Sequence, residues 1–76
     1  MVDKRSDMMK KELAARKVDV ASFDFHAFNT CDRYAEIIIG KGNPEQVSNY
    51  KAFIEIKNKY YPTERSLKAA EILTKA

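Results

Sequence analysis

Gly40-Lys41-Gly42-Asn43-Pro44-Glu45-Gln46 is the stretch whose reading decides the fold. It holds a helix stop followed at once by a helix start. Gly40 suits the left-handed C-terminal position after Ile37-Ile38-Ile39, Asn43 suits an N-cap, Pro44 the first helical position, and Gln46 lies three residues past the cap. Downstream, the spacing predicts a helix from Pro44 to about Tyr60, with Val47, Tyr50, Phe53, Ile54, Tyr60 and Tyr61 on its buried face. Pro62 cannot continue that ladder. Thr63 then caps a last helix over residues 64 to 75, with Leu67, Ala70 and Leu73 on one side and Ile72 beside them.

Upstream, residues 17 to 28 read two ways, because Val18-Asp19-Val20 and Phe23-Asp24-Phe25 alternate like a strand while Phe25, Phe28 and Ala35 fit a helix. Alternation this short makes no sheet alone. The reading is therefore an extended connector from Lys17 to Ala21, Ser22 or Asp24 as a cap, and a helix from Phe25 to Ile39. An N-terminal helix over roughly 4 to 17 has a thin apolar stripe of Met9, Leu13 and Met8. The expected architecture is an all-α single domain over residues 1–76, a bundle of three principal helices plus that N-terminal one. Residues 1–21 form a basic helix and connector expected to dock loosely, and residues 22–76 supply the core helices.

A chain of 76 residues supports one modest core, and 45% hydrophobic with 33% charged residues excludes disordered and fibrous classes. Cys31 is the single cysteine, so no internal disulfide forms, which fits a reducing, cytoplasmic compartment. The longest aliphatic run, Ile37 to Ile39, is far too short to span a membrane.

The net charge of +3 is unevenly spread. Residues 4 to 17 carry six basic and two acidic side chains, residues 18 to 39 one basic and four acidic, and residues 41 to 76 seven basic and four acidic. Five pairs have acid four residues before base: Asp7–Lys11, Glu12–Arg16, Glu55–Lys59, Glu64–Lys68 and Glu71–Lys75. Much of the positive charge thus has an expected partner on its own helix.

Catalytic signals are poor. His26 and Cys31, five residues apart, would be separated by roughly 140° on one helix and could not share a proton. No metal is expected, since His26 meets only Asn29 and Thr30 at helical ligand spacings, and no cofactor motif appears. A helix-turn-helix is a sharper alternative. Residues 33 to 37 would support a recognition helix at Pro44 that offers Gln46, Ser48, Asn49 and Lys51 to DNA. Against it, the Gly40-to-Val47 interval is one residue too long, and Glu45 with the acidic second helix repels phosphate.

Eight aromatic rings are more than so small a core needs. The favoured expectation is a non-enzymatic protein that docks onto a macromolecular partner, most simply a protein, and modulates or inhibits it. Aromatic anchors with a basic rim would make the contact, and the candidates are Phe23, Phe25, Lys57, Tyr60, Tyr61 and Arg65. A homodimer is the simplest form of such docking, and no membrane partner is expected.

Lys17-Val18-Asp19-Val20, Asp32-Arg33-Tyr34 and Asn43-Pro44-Glu45 occur in this order. The order resembles the small helical theta subunit of bacterial DNA polymerase III, which is of similar length. The resemblance implies a small accessory protein, and it carries no residue's role to this chain.

Overall fold

The computed structural model describes residues 4–23 and 25–75, with Ser22 by its backbone alone. The chain is an all-α bundle. Five α-helices lie among the described residues: α1 (Lys4–Ala15), α2 (Phe25–Asn29), α3 (Cys31–Lys41), α4 (Pro44–Tyr60) and α5 (Glu64–Lys75), with a short 3₁₀ turn at Val20–Ser22. No described helix is long and apolar enough to cross a membrane.

The start of α4 lies where its local chemistry puts it. Asn43 Oδ1 accepts the Gln46 N–H at 2.8 Å and Gln46 Oε1 accepts the Asn43 N–H at 3.1 Å, a complete capping box with Pro44 behind the cap. The stop before it differs from expectation. Gly40 lies inside α3, and Gly42 is the C-cap in an extended conformation, φ −82° and ψ 162°. Crowding, not left-handed backbone, makes Gly42 a glycine, because a Cβ there would lie 2.6 Å from the Ile38 carbonyl oxygen and 2.9 Å from Gln46 Oε1. A Cβ on Gly40 would meet nothing within 4 Å. Gly40→Ala should therefore stabilise the fold by about 0.5 to 1 kcal/mol through helix propensity. Gly42→Ala should cost about 1 to 3 kcal/mol by pushing the Gln46 side chain off the cap. The two midpoints of urea unfolding should move in opposite directions.

At the end of α1, Lys17 takes the left-handed position with φ 56°. The Lys17 N–H donates to the Ala14 carbonyl and the Val18 N–H to the Leu13 carbonyl, the pair of bonds that closes a Schellman motif. This turn delivers the connector to α4, where the Asp19 N–H donates to Asn49 Oδ1 at 3.0 Å and Asn49 Nδ2 donates back to the Asp19 carbonyl at 3.3 Å.

The expected helix over Phe25 to Ile39 is broken at Thr30, which has φ −123° and ψ 63°. A bond from a distant residue occupies the break: the Tyr50 hydroxyl donates to the Ala27 carbonyl at 2.8 Å. The Thr30 hydroxyl also donates to the His26 carbonyl at 3.1 Å. Both expected caps, the Ser22 side chain and Asp24, lie outside the described residues.

Leu13, Ala27, Cys31, Ala35, Ile38, Tyr50, Phe53, Ile54, Ile56, Tyr60, Ala69 and Leu73 make the core. Helix α4 supplies five of them, including Ile56, which its apolar periodicity does not pick out. Helices α3 and α5 pack closely on one another. Ala35, Ser66 and Ala69 are fully buried, and their small side chains permit the approach. The buried face of α5 is Ser66, Ala69 and Leu73, whereas Leu67 is 53% exposed. Of the expected face, Leu73 is buried and Ala70 and Ile72 pack against the core, while Ser66 and Ala69 take the place of Leu67 at its centre. Hydrogen bonds hold Ser66 inward: its Oγ donates to Asn58 Oδ1 at 2.6 Å and accepts the Thr63 N–H at 2.8 Å, while Thr63 Oγ1 accepts the Ser66 N–H.

Helix α1 lies along α4 in the opposite sense. Its thin apolar stripe is supplemented by polar contacts: Glu12 accepts from Lys59 Nζ at 2.6 Å and the Tyr60 hydroxyl at 2.9 Å, and Arg16 pairs with Glu55 at 3.1 Å. The Glu12–Arg16 and Glu55–Lys59 pairs expected within single helices have exchanged partners across two. Lys59 and then Tyr60 hold the Glu12 carboxyl below its ordinary range, and the bond to Glu12 raises the Lys59 ammonium in turn.

Candidate functional site

The six residues expected to contact a protein partner differ in exposure and in the contacts they make. Phe23 is half-buried at the centre of an aromatic cluster, with its ring edge-to-face with Tyr50 at 5.3 Å, Phe53 at 5.1 Å, Phe28 at 6.1 Å and Tyr34 at 6.2 Å. Each such pair adds about 0.5 to 1.5 kcal/mol beyond area burial, so Phe23 holds the connector to the core. Tyr60 is 8% exposed and its hydroxyl is engaged by Glu12. Burial first, and that bond second, raise its phenol above the ordinary range.

Tyr61 is half-buried under the Arg5 guanidinium, which stands 4.8 Å from its ring centroid. Lys57 Nζ donates to the Tyr61 carbonyl at 2.9 Å, satisfying the end of α4. Arg65 is exposed and stands 3.7 Å from Asp32 Oδ1, which ties the start of α5 to the start of α3. Of the six, Phe25 alone is a large apolar side chain open to solvent, at 74% exposure.

Phe25 has an aromatic neighbour on its own helix. Phe28, three residues on, is 41% exposed. Spacing by three places the two rings on adjoining sides of α2. Phe28 is also braced edge-to-face by Phe53 at 5.6 Å and by Phe23. The result is an aromatic edge with one ring projecting and one anchored in the core. The run Phe25-His26-Ala27-Phe28 carried that spacing; which side faces outward depends on Tyr50 fixing Ala27 inward, 23 residues away.

The residues proposed for DNA fare differently. Gln46 is committed to the capping box, and both polar atoms of Asn49 are bonded to the Asp19 backbone. Ser48 and Lys51 are exposed. A recognition helix needs its N-terminal turns free to enter a groove. Here the start of α4 is flanked by the connector, with an open cleft of about 570 Å³ between them lined in part by Arg16, Asp19, Glu45 and Ser48. On its other flank Val47 and Lys51 border a second cleft of about 510 Å³ with Ile39 and Leu73.

His26 and Cys31 are not brought together for chemistry. The thiol is buried and donates to the Ala27 carbonyl at 3.4 Å, whereas the exposed imidazole lies beside the Thr30 hydroxyl, with Nδ1 at 3.3 Å. No group of three or more His, Cys, Asp or Glu is placed to hold a metal among the described residues.

The residues behind the theta resemblance do structural work. Asp19 binds Asn49, Tyr34 packs on Tyr50 at 4.7 Å between ring centroids, and Asn43 caps α4. No protein family, no curated protein and no solved structure matches this chain at a significant level.

Proposed function

We propose that this chain is a non-catalytic helical binding protein that docks onto a protein partner through the aromatic edge of α2 and modulates or inhibits it. The observation that supports this reading is the 74% exposure of Phe25 beside the braced ring of Phe28. A large aromatic ring with only two side-chain torsions loses little conformational entropy on binding and buries much apolar area, which is what a central interface anchor needs.

The test is a pull-down with the tagged full chain and with Phe25→Ala, each at low salt and at about 0.5 M salt, where exposed charges are screened beyond a few ångströms. A protein should be retained by the parent chain at both salts. The alanine variant should bind it at least about tenfold more weakly, with an unchanged helical circular dichroism spectrum. Capture indifferent to Phe25→Ala would overturn the reading. So would capture of duplex DNA that is released by salt and abolished by Lys51→Glu, which is the outcome the helix-turn-helix alternative requires.

A further inference from the structure

The outward side of α5 carries Glu64, Lys68, Glu71 and Lys75. At about 100° per residue these four fall within roughly 60° of one another, on the side of the helix opposite the buried Ser66, Ala69 and Leu73. All four are exposed. The Glu64–Lys68 and Glu71–Lys75 pairs expected from the spacing are not formed. Among the described residues no ion pair or hydrogen bond involves these four side chains.

Read from either end, the stripe alternates in sign, so its reverse is its complement. We propose that this face of α5 pairs with the same face of a second copy of the chain in antiparallel orientation. Glu64 then stands opposite the second copy's Lys75 and Lys68 opposite its Glu71, and the two-fold axis repeats both pairs. A parallel arrangement would set like charges together.

Shape fixes the same register independently. Leu67, 53% exposed, lies on one flank of the stripe. On that same flank Ala70, Glu71, Thr74 and Lys75 line a shallow depression of about 300 Å³. In the register set by the charges Leu67 comes level with residue 72 of the second copy, which is the centre of that depression. Because a two-fold axis keeps equivalent flanks together, each leucine enters the other copy's hollow as a knob enters a hole. A pattern complementary to its own reverse is matched by a second copy of the same chain with no further requirement, and that copy is the occupant. The face is separate from Phe25 and Phe28, so the pairing does not depend on the proposed partner docking.

One helix pair is a small interface, and the expected dimer is weak, with a Kd of about 10⁻⁴ M. Sedimentation equilibrium of the full chain up to about 1 mM should show it, and about 1 M NaCl, which shortens the screening length to about 3 Å, should weaken it. The decisive comparison uses two doubly reversed chains, Glu64→Lys with Glu71→Lys and Lys68→Glu with Lys75→Glu. Each alone should remain monomeric, while an equimolar mixture should form the heterodimer at least as readily as the parent forms its homodimer. The changes lie on exposed positions, and circular dichroism checks that both chains stay folded. A parent chain monomeric at 1 mM overturns the proposal, as does a dimer that survives in either reversed chain or a mixture that fails to associate.

Discussion

Replacing Tyr50 with alanine is expected to cost about 3 to 5 kcal/mol, the cost of removing a large buried ring whose surroundings collapse only partly. For a chain of 76 residues, whose whole stability is about 4 to 11 kcal/mol, that removes between about a quarter and all of it. The expectation rests on position. Tyr50 is fully buried and stacks on Phe53, meets Phe23 and Tyr34 edge-on, and sends its hydroxyl to the Ala27 carbonyl. Burial, aided by the adjacent Cys31 thiol, keeps its phenol far above the ordinary tyrosine range, so the hydroxyl is a permanent donor. Tyr50→Phe separates ring from hydroxyl. It should cost only about 1 kcal/mol, since it removes one hydrogen bond and the Cys31 thiol still reaches the same carbonyl. Urea titrations of both variants provide the check. Equal losses in the two would mean that the hydroxyl, not the ring, holds α2 to α4.

The second large effect runs against hydropathy. Ser66→Leu makes α5 more apolar yet should destabilise the chain by about 2 to 5 kcal/mol, because a larger side chain is forced into a close crossing and the Thr63 and Asn58 groups lose their partner. Ser66 is fully buried, and the Asn58 side chain holds both its hydroxyl and, through Nδ2 at 3.2 Å, its carbonyl. Leu67→Ser, the opposite exchange one residue on, should change stability by no more than about 0.5 kcal/mol when measured at micromolar concentration. If melting temperatures rank these two variants the other way, the buried face of α5 is Leu67 and not Ser66.

These residues also show what the sequence made legible. The boundaries of α4 were readable because Asn43, Pro44, Gln46 and Pro62 act within one turn of themselves, and local chemistry needs no knowledge of the rest of the fold. The all-α class followed from the same signals. The break at Thr30 is matched by a bond from Tyr50, 23 residues from Ala27 and beyond any local window, while the inward turn of Ser66 rests on Asn58, eight residues away but across the Pro62 turn, where helical periodicity is interrupted. Among the expected contact residues, Phe23 and Tyr60 belong to the surplus of aromatic side chains. That surplus is largely consumed by ring-on-ring packing, a use that composition cannot distinguish from exposure. Phe25 is the one large ring of that set left open, and Phe28 joins it only through the fold.

The exchanged charges between α1 and α4 do more than hold two helices together. Glu12 with Lys59 and Arg16 with Glu55 form a ladder with one allowed rung setting. If α1 slid one turn along α4 in one direction, Glu12 would face Glu55 and Arg16 would face Lys51. A slide in the other direction would bring Arg16 against Lys59 and leave Glu12 beyond the end of α4. Both neighbouring settings put like charges together, which costs rather than gains free energy. A helix whose apolar stripe is too thin to choose its own alignment is thus aligned by its mistakes: the polar pattern works as a vernier, reading zero at a single offset between the two rods.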